Sequence, residues 1–185
     1  MTSLTSFSFR FWITLLGFST LVPWTAGCES NSDDPPPQTR ATVKDVTMDR
    51  LSGVGLLAGD QVSLQMSGGS IRGTIDPPLS ADQCTSLIGI ALTGHAKGHV
   101  SNVSLADLGT ASIALLEDAV GTVTGSAMSR PSVSDACSSS HVAVGDHASA
   151  TVEDSALVNE SGAGVAVGSS TAGLTFRRST IKKPS

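Results

Sequence analysis

The sequence predicts an all-β protein, a short parallel β-helix of about six coils, from three observations. Apolar residues recur with a period of 23. Around each recurrence the residues alternate, as in Val142-Ala143-Val144 and Ile113-Ala114-Leu115, the pattern of a short strand rather than a helix. Between the alternating stretches cluster Gly, Asp, Ser and Asn, which are turn residues. The rhythm is plainest within 140–167: Val152 lies ten residues after Val142, Leu157 five after that, and Val165 a further eight.

The same 10-5-8 spacing runs in both directions. Ile113, Val123 and Met128 form the preceding unit, and Ile90, Val100 and Leu105 the one before it. Leu56, Met66 and Ile71 form another, and Val43 and Met48 an opening part-unit. After Val165 the rhythm slips: Phe176 and Ile181 keep the five-residue step but arrive one residue late. The local text agrees, since ATVKDVTM at 41–48 matches ATVEDSAL at 150–157. Three strands per 23 residues is the arithmetic of a parallel β-helix, whose coils stack at about 4.8 Å. The anchors then form three interior columns. One holds Leu56, Ile90, Ile113, Val142 and Val165; the second Met66, Val100, Val123, Val152 and Phe176; the third Met48, Ile71, Leu105, Met128, Leu157 and Ile181. A single coil cannot bury its apolar face, so stability comes from stacking.

On this rhythm residues 41–185 resemble the right-handed parallel β-helix repeats of pectin-lyase-like proteins. Right-handedness is what that resemblance implies. It rests on no catalytic motif, so it speaks to fold more than to activity. Enzymes of that family set acidic and basic groups along a long groove. About six coils, roughly 30 Å of stack, offer little groove, and no Tyr or Trp follows residue 28 to stack on sugars.

The domain is expected over 43–185, after two other segments. Residues 1–27 have the form of an export signal: Arg10 is the only charge, and Phe11–Val22 is an apolar run shorter than the ~20 residues a bilayer requires. Ala26-Gly27-Cys28 resembles the lipobox of bacterial lipoproteins, which implies acylation at Cys28; the motif departs at Thr25, where that family has Leu. An ordinary secretory signal ending near Cys28 is the alternative. Residues 28–42, with Asp33-Asp34 and Pro35-Pro36-Pro37, are expected to be a flexible, extended tether.

Two units carry insertions, at 72–86 and 129–138, both at the same junction of the coil. In solenoids such loops share one face, often the binding face; tolerated surface drift is the plainer reading. Each loop holds one cysteine, Cys84 and Cys137. In an exported protein these are candidates for a disulfide. Their coils stand about 10 Å apart, so the loops would have to close the distance, and two free thiols are the alternative.

Candidate chemistry lies in the turns. Five residues past the first-column anchors come Gln61, His95, Asp118, His147 and Ser170, with Glu117 and Asp146 alongside. Stacked, His95, Asp118 and His147 are candidate ligands of Zn²⁺ or another divalent ion, or an acid–base set. A solvated turn row is the plainer reading. A second row holds Asp45, Gly68, Asn102, Gly125 and Asp154, expected as bend residues because Asn and Asp tolerate left-handed backbone. There is no GxSxG, HExxH, P-loop or dinucleotide-binding glycine motif. Arg177, Arg178, Lys182 and Lys183 form a basic cluster suited to blunting an open sheet end.

The net charge of −5 argues against nucleic acid as a partner. The reading is therefore an exported, lipid-anchored envelope or surface protein with a non-enzymatic structural or binding β-helix and no resident cofactor. Its expected partners are the membrane, through the lipid, and a polysaccharide or envelope protein, with end-to-end self-association as a further expectation. The alternative is a carbohydrate-active lyase or hydrolase, or a truncated remnant of one.

Overall fold

The structure is a computed structural model that describes residues 38–73, 87–129, 140–158 and 163–182. All of these belong to one compact unit, Pro35–Ser185. Among the described residues there are strands and turns but no helix.

Three parallel sheets wind around a shared interior. The first contains β1 (Thr39–Lys44), β4 (Val62–Ser67), β7 (Lys97–Ser101), β10 (Val120–Thr124), β13 (Ser149–Glu153) and β16 (Gly173–Arg177), in that spatial order. The second contains β2 (Thr47–Leu51), β5 (Ser70–Gly73), β8 (Ser104–Ala106), β11 (Ala127–Ser129), β14 (Ala156–Val158) and β17 (Thr180–Lys182). The third contains β3 (Val54–Ala58), β6 (Ile88–Leu92), β9 (Ala111–Leu115), β12 (Ser140–Val144) and β15 (Ala163–Val167). Each strand pairs with the strand three further along the chain, and always in parallel. This is a parallel β-helix, and among the described residues its first coil has no strand in the third sheet.

The register reproduces the columns expected from spacing. Ile90 lies opposite Leu56 and Ile113, and Val142 opposite Ile113 and Val165. Val100 and Val123 pair in line with Met66, Val152 and Phe176. Met48, Ile71, Leu105, Met128, Leu157 and Ile181 form the third line. In the middle coils these side chains are fully buried. Each such burial is worth roughly 1.5–3 kcal/mol of transfer free energy, and every one depends on a neighbouring coil.

The strand pattern extends further than spacing alone indicated. β1 begins at Thr39, inside the segment 28–42 expected as tether. Ala41 and Val43 are partly buried against the core while Arg40, Thr42 and Lys44 point outward, and this period-two alternation starts directly after the prolines. The one-residue slip after Val165 also has a local cause: the turn between β15 and β16 spans 168–172, one residue longer than the turn 145–148 between β12 and β13.

Corners are made by left-handed residues. Between the first and second sheets the row is Asp45, Gly68, Asn102, Gly125, Asp154 and Arg178, with φ of 49, 69, 55, 57, 50 and 46°. The row expected as bend residues is therefore that, extended by Arg178. Amides step from coil to coil here: Asn102 N–H donates to Thr124 O, Gly125 N–H to Glu153 O and Asp154 N–H to Arg177 O. Glycine alternates with Asx for a steric reason. A Cβ on Gly125 would lie 2.6 Å from Asn102 Oδ1, and one on Gly68 would collide with Asp45 Oδ1. Asp45 and Asn102 thus fill the space above the glycine of the next coil, while Asp154 instead meets Arg178.

Candidate functional site: the turn edge

The corner between the third and first sheets carries the candidate row. Each coil turns there through a backbone bond across four residues, such as Ala96 N–H to Thr93 O and Ala119 N–H to Leu116 O. A left-handed residue sits inside each described turn of the middle coils: Gln61, Gly94, Glu117 and Asp146, with φ of 59, 62, 61 and 51°. In Gln61's turn it occupies the third position rather than the second.

The turns stack, and they bring the expected residues together. His95 Nε2 lies 3.9 Å from Asp118 Oδ2, and His147 Nδ1 lies 3.8 Å from Asp118 Oδ1. Asp60 joins from the coil below, its Oδ1 3.3 Å from His95 Nδ1. The result is one ladder of carboxylate, imidazole, carboxylate and imidazole. All four side chains are more than half exposed. Contacts at 3.8–3.9 Å are too long for hydrogen bonds, and at such exposure ion pairs contribute little. Gln61 occupies the same turn position and is exposed; Ser170, also exposed, falls one position earlier in its turn because of the slip, and Thr171 takes the equivalent place.

The neighbouring acids hold backbone. Asp60 Oδ1 accepts from His95 N–H at 3.0 Å, Glu117 Oε2 accepts from Gly94 N–H, and Asp146 Oδ2 accepts from Glu117 N–H at 3.2 Å. The His95 amide, and then its ring, hold the Asp60 carboxyl below the ordinary carboxylate range. Among the described residues no group of three His, Cys, Asp or Glu is set to hold a metal ion. The geometry explains this: ladder residues face one another in series, one coil apart, rather than converging on a common centre.

A second, unexpected pair is buried. His141 and Ser112 lie at the same place as Gly55, Gly89 and Gly164, each between two paired positions of its third-sheet strand. Both are 0% exposed. A Cβ on Gly55 would meet Ile71 and Leu51, one on Gly89 Leu108 and Leu105, and one on Gly164 Ile181, so the row faces apolar side chains of the second sheet and of the segment after it. His141 Nε2 bonds the Val158 carbonyl oxygen at 2.8 Å, which makes Nε2 the donor. Nδ1 lies 3.3 Å from Ser112 Oγ, within hydrogen-bond reach. A hydroxyl beside an imidazole is the start of a nucleophile–base arrangement. Here both are sealed from solvent and the far ring nitrogen is held by a carbonyl, so the pair serves as a satisfied polar contact in an apolar interior.

The flanks of both insertions agree with the expected common junction. Gly73 and Leu87, and likewise Ser129 and Ser140, connect a second-sheet strand to a third-sheet strand. Cys28, Cys84, Cys137, the export segment 1–27 and Lys183 lie outside the described residues. In the basic cluster, Arg178 is engaged: Nε donates to Asp154 Oδ1 at 2.7 Å, and Nη2 to Asp154 Oδ2 at 2.9 Å and to Glu153 Oε1 at 2.8 Å.

Spacing found His95, Asp118 and His147 but missed Asp60 and the buried pair. Asp60 precedes Gln61 as Glu117 precedes Asp118, so the signal was present one position off the chosen row. For His141 and Ser112 the signal was their place directly before anchors Val142 and Ile113, where other coils carry Gly. Comparisons with protein families, with curated proteins and with solved structures find no match for this chain.

Proposed function

We propose that this is an exported envelope protein, lipid-anchored at Cys28, whose β-helix is a non-enzymatic scaffold that binds a repetitive partner. One surface supports the binding role. On the outer face of the first sheet, Thr42, Gln65, His99, Thr122, Thr151 and Thr175 stand in one row across all six strands. They are exposed or half-buried, and their strand neighbours Val43, Met66, Val100, Val123 and Val152 turn inward. The row sets a hydrogen-bonding side chain at every coil, about 4.8 Å apart. Such a track suits a linear polymer bearing regular hydroxyl or carbonyl groups, as an envelope polysaccharide does. The exposed turn ladder of Asp60, His95, Asp118 and His147 adds a second polar edge.

The same reading takes residues 1–27 as the signal, Cys84–Cys137 as a disulfide between the loops, and the pectin-lyase-like, right-handed form as the relevant fold type. Mass spectrometry of the chain from membrane fractions tests Cys28 acylation. Alkylation with and without reductant tests the disulfide.

Binding is tested with immobilised envelope polysaccharides. Native chain is expected to be retained, and Thr122→Val with Thr151→Val to weaken retention, since valine keeps the shape and removes the hydroxyl. Incubation with the same polymers is expected to yield no new reducing or unsaturated ends. Retention unchanged by the double variant would remove the track, and polymer cleavage would replace the scaffold with a carbohydrate-active enzyme.

A further inference from the structure

We infer that the two ends of this β-helix are complementary and that copies of the chain join head to tail, the last described coil of one seating on the first coil of the next. This goes beyond the export and binding reading and does not depend on it.

Among the described residues both ends are open sheet edges. β1, β2 and β3 are outer strands at one end; β16, β17 and β15 are outer strands at the other. At the far end the interior columns come to the surface: Val167 is 49% and Ile181 51% exposed, although their column mates Val144 and Leu157 are buried. An unpaired parallel edge with apolar side chains beside it is a template for another strand.

The two ends fit in a single register. Phe176 and Ile181 are five residues apart, as are Val43 and Met48, and each pair heads the same two columns. One rung beyond β16 and β17, β1 and β2 of the second copy would set Val43 on Phe176, Thr42 on Thr175, Thr47 on Thr180 and Met48 on Ile181. Apolar therefore meets apolar, and Thr meets Thr. The same placement brings Asp49, at the bulge between Met48 and Leu51, near Lys182, and Asp45 near Arg178. Asp49 and Lys182 are exposed and neither makes an ion pair among the described residues. Asp45 would stand beside Arg178 without repeating the Asp154–Arg178 bond, since its Oδ1 is turned toward Gly68 of its own chain. One pairing opposes: Lys44 would face Arg177.

Among the described residues the third sheet is one strand short, ending at β3 and β15. The joint therefore closes two sheets and leaves a slot one strand wide in the third, beside exposed Val54, Leu57 and Val167. The expected contact is reversible rather than obligate. Because its two faces differ, it is heterologous and repeats along an open line instead of closing a ring.

Analytical ultracentrifugation of the purified full chain over a wide concentration range tests this, together with small-angle scattering. A sedimentation coefficient that rises with concentration is expected, with the longest dimension growing at constant cross-section. Lys182→Glu, on an exposed side chain, should weaken association about ten-fold, since it turns attraction into repulsion. Adding Asp49→Lys in the same chain should restore it, and Lys44→Glu alone should tighten it. Circular dichroism verifies that each variant is folded. A monomer at every concentration, growth in cross-section rather than length, or association indifferent to Lys182→Glu without rescue by the double variant would overturn the inference.

Discussion

Truncating the same aliphatic residue in the middle and at the end of the stack should have very different costs. Ile113 is 1% exposed and stands between Ile90 and Val142; Ile181 is 51% exposed on the last described coil. Ile113→Ala removes three buried carbons, about 2.4 kcal/mol of transfer free energy at ~0.8 each. The coils on either side are fixed by strand pairing and cannot collapse inward, so a cavity remains and the total should reach about 3–4 kcal/mol. Ile181→Ala forfeits roughly half the transfer term, ~1 kcal/mol, and leaves no enclosed cavity. Urea unfolding of the full chain, followed by far-ultraviolet circular dichroism, measures both. A solenoid can fray from its ends, so the transitions should be fitted with a nearest-neighbour description as well as a two-state one. Equal losses for the two variants, or a loss below ~1 kcal/mol for Ile113→Ala, would show that the columns are not the source of stability.

The corner and turn rows carry further expectations. Gly125→Ala places a Cβ against Asn102 Oδ1 on a residue at φ 57°, and should cost about 1–2 kcal/mol in the same urea assay. Asp60 should titrate below the ordinary carboxylate range by NMR, and His95→Ala should leave most of that depression in place, because the largest cause is the backbone amide rather than the imidazole. Asp154 is held low by Arg178, so Arg178→Ala should return it to the ordinary range. For both acids the native pKa lies below the unfolded one. Their stabilisation is therefore present at neutral pH and is lost as the pH falls through the native value, below the usual carboxylate midpoint. Ser112→Ala should cost about 1 kcal/mol, since it removes a hydroxyl from the buried His141 contact while keeping its volume small.

The period of the aliphatic residues alone determined the architecture. Val142 and Ile113 lie opposite each other because each coil buries its apolar face only on the next, and that requirement is written into spacing. The left-handed corner row was legible for the same reason: Asn, Asp and Gly are the residues that tolerate that backbone cheaply, and they recur in phase. The start of β1 was hidden, because the prolines before Thr39 mask an alternation of only a few residues. What only the tertiary structure decided is how far apart in-phase side chains stand and which way they point. Spacing placed His95, Asp118 and His147 on consecutive coils, but the turns set them in series along an edge, with Asp60 continuing the line. Spacing likewise could not tell that His141 faces an apolar column and bonds the Val158 carbonyl. One-dimensional phase fixes which residues share a rung, whereas direction and distance follow from turn geometry and from the neighbouring sheet, which no local pattern contains.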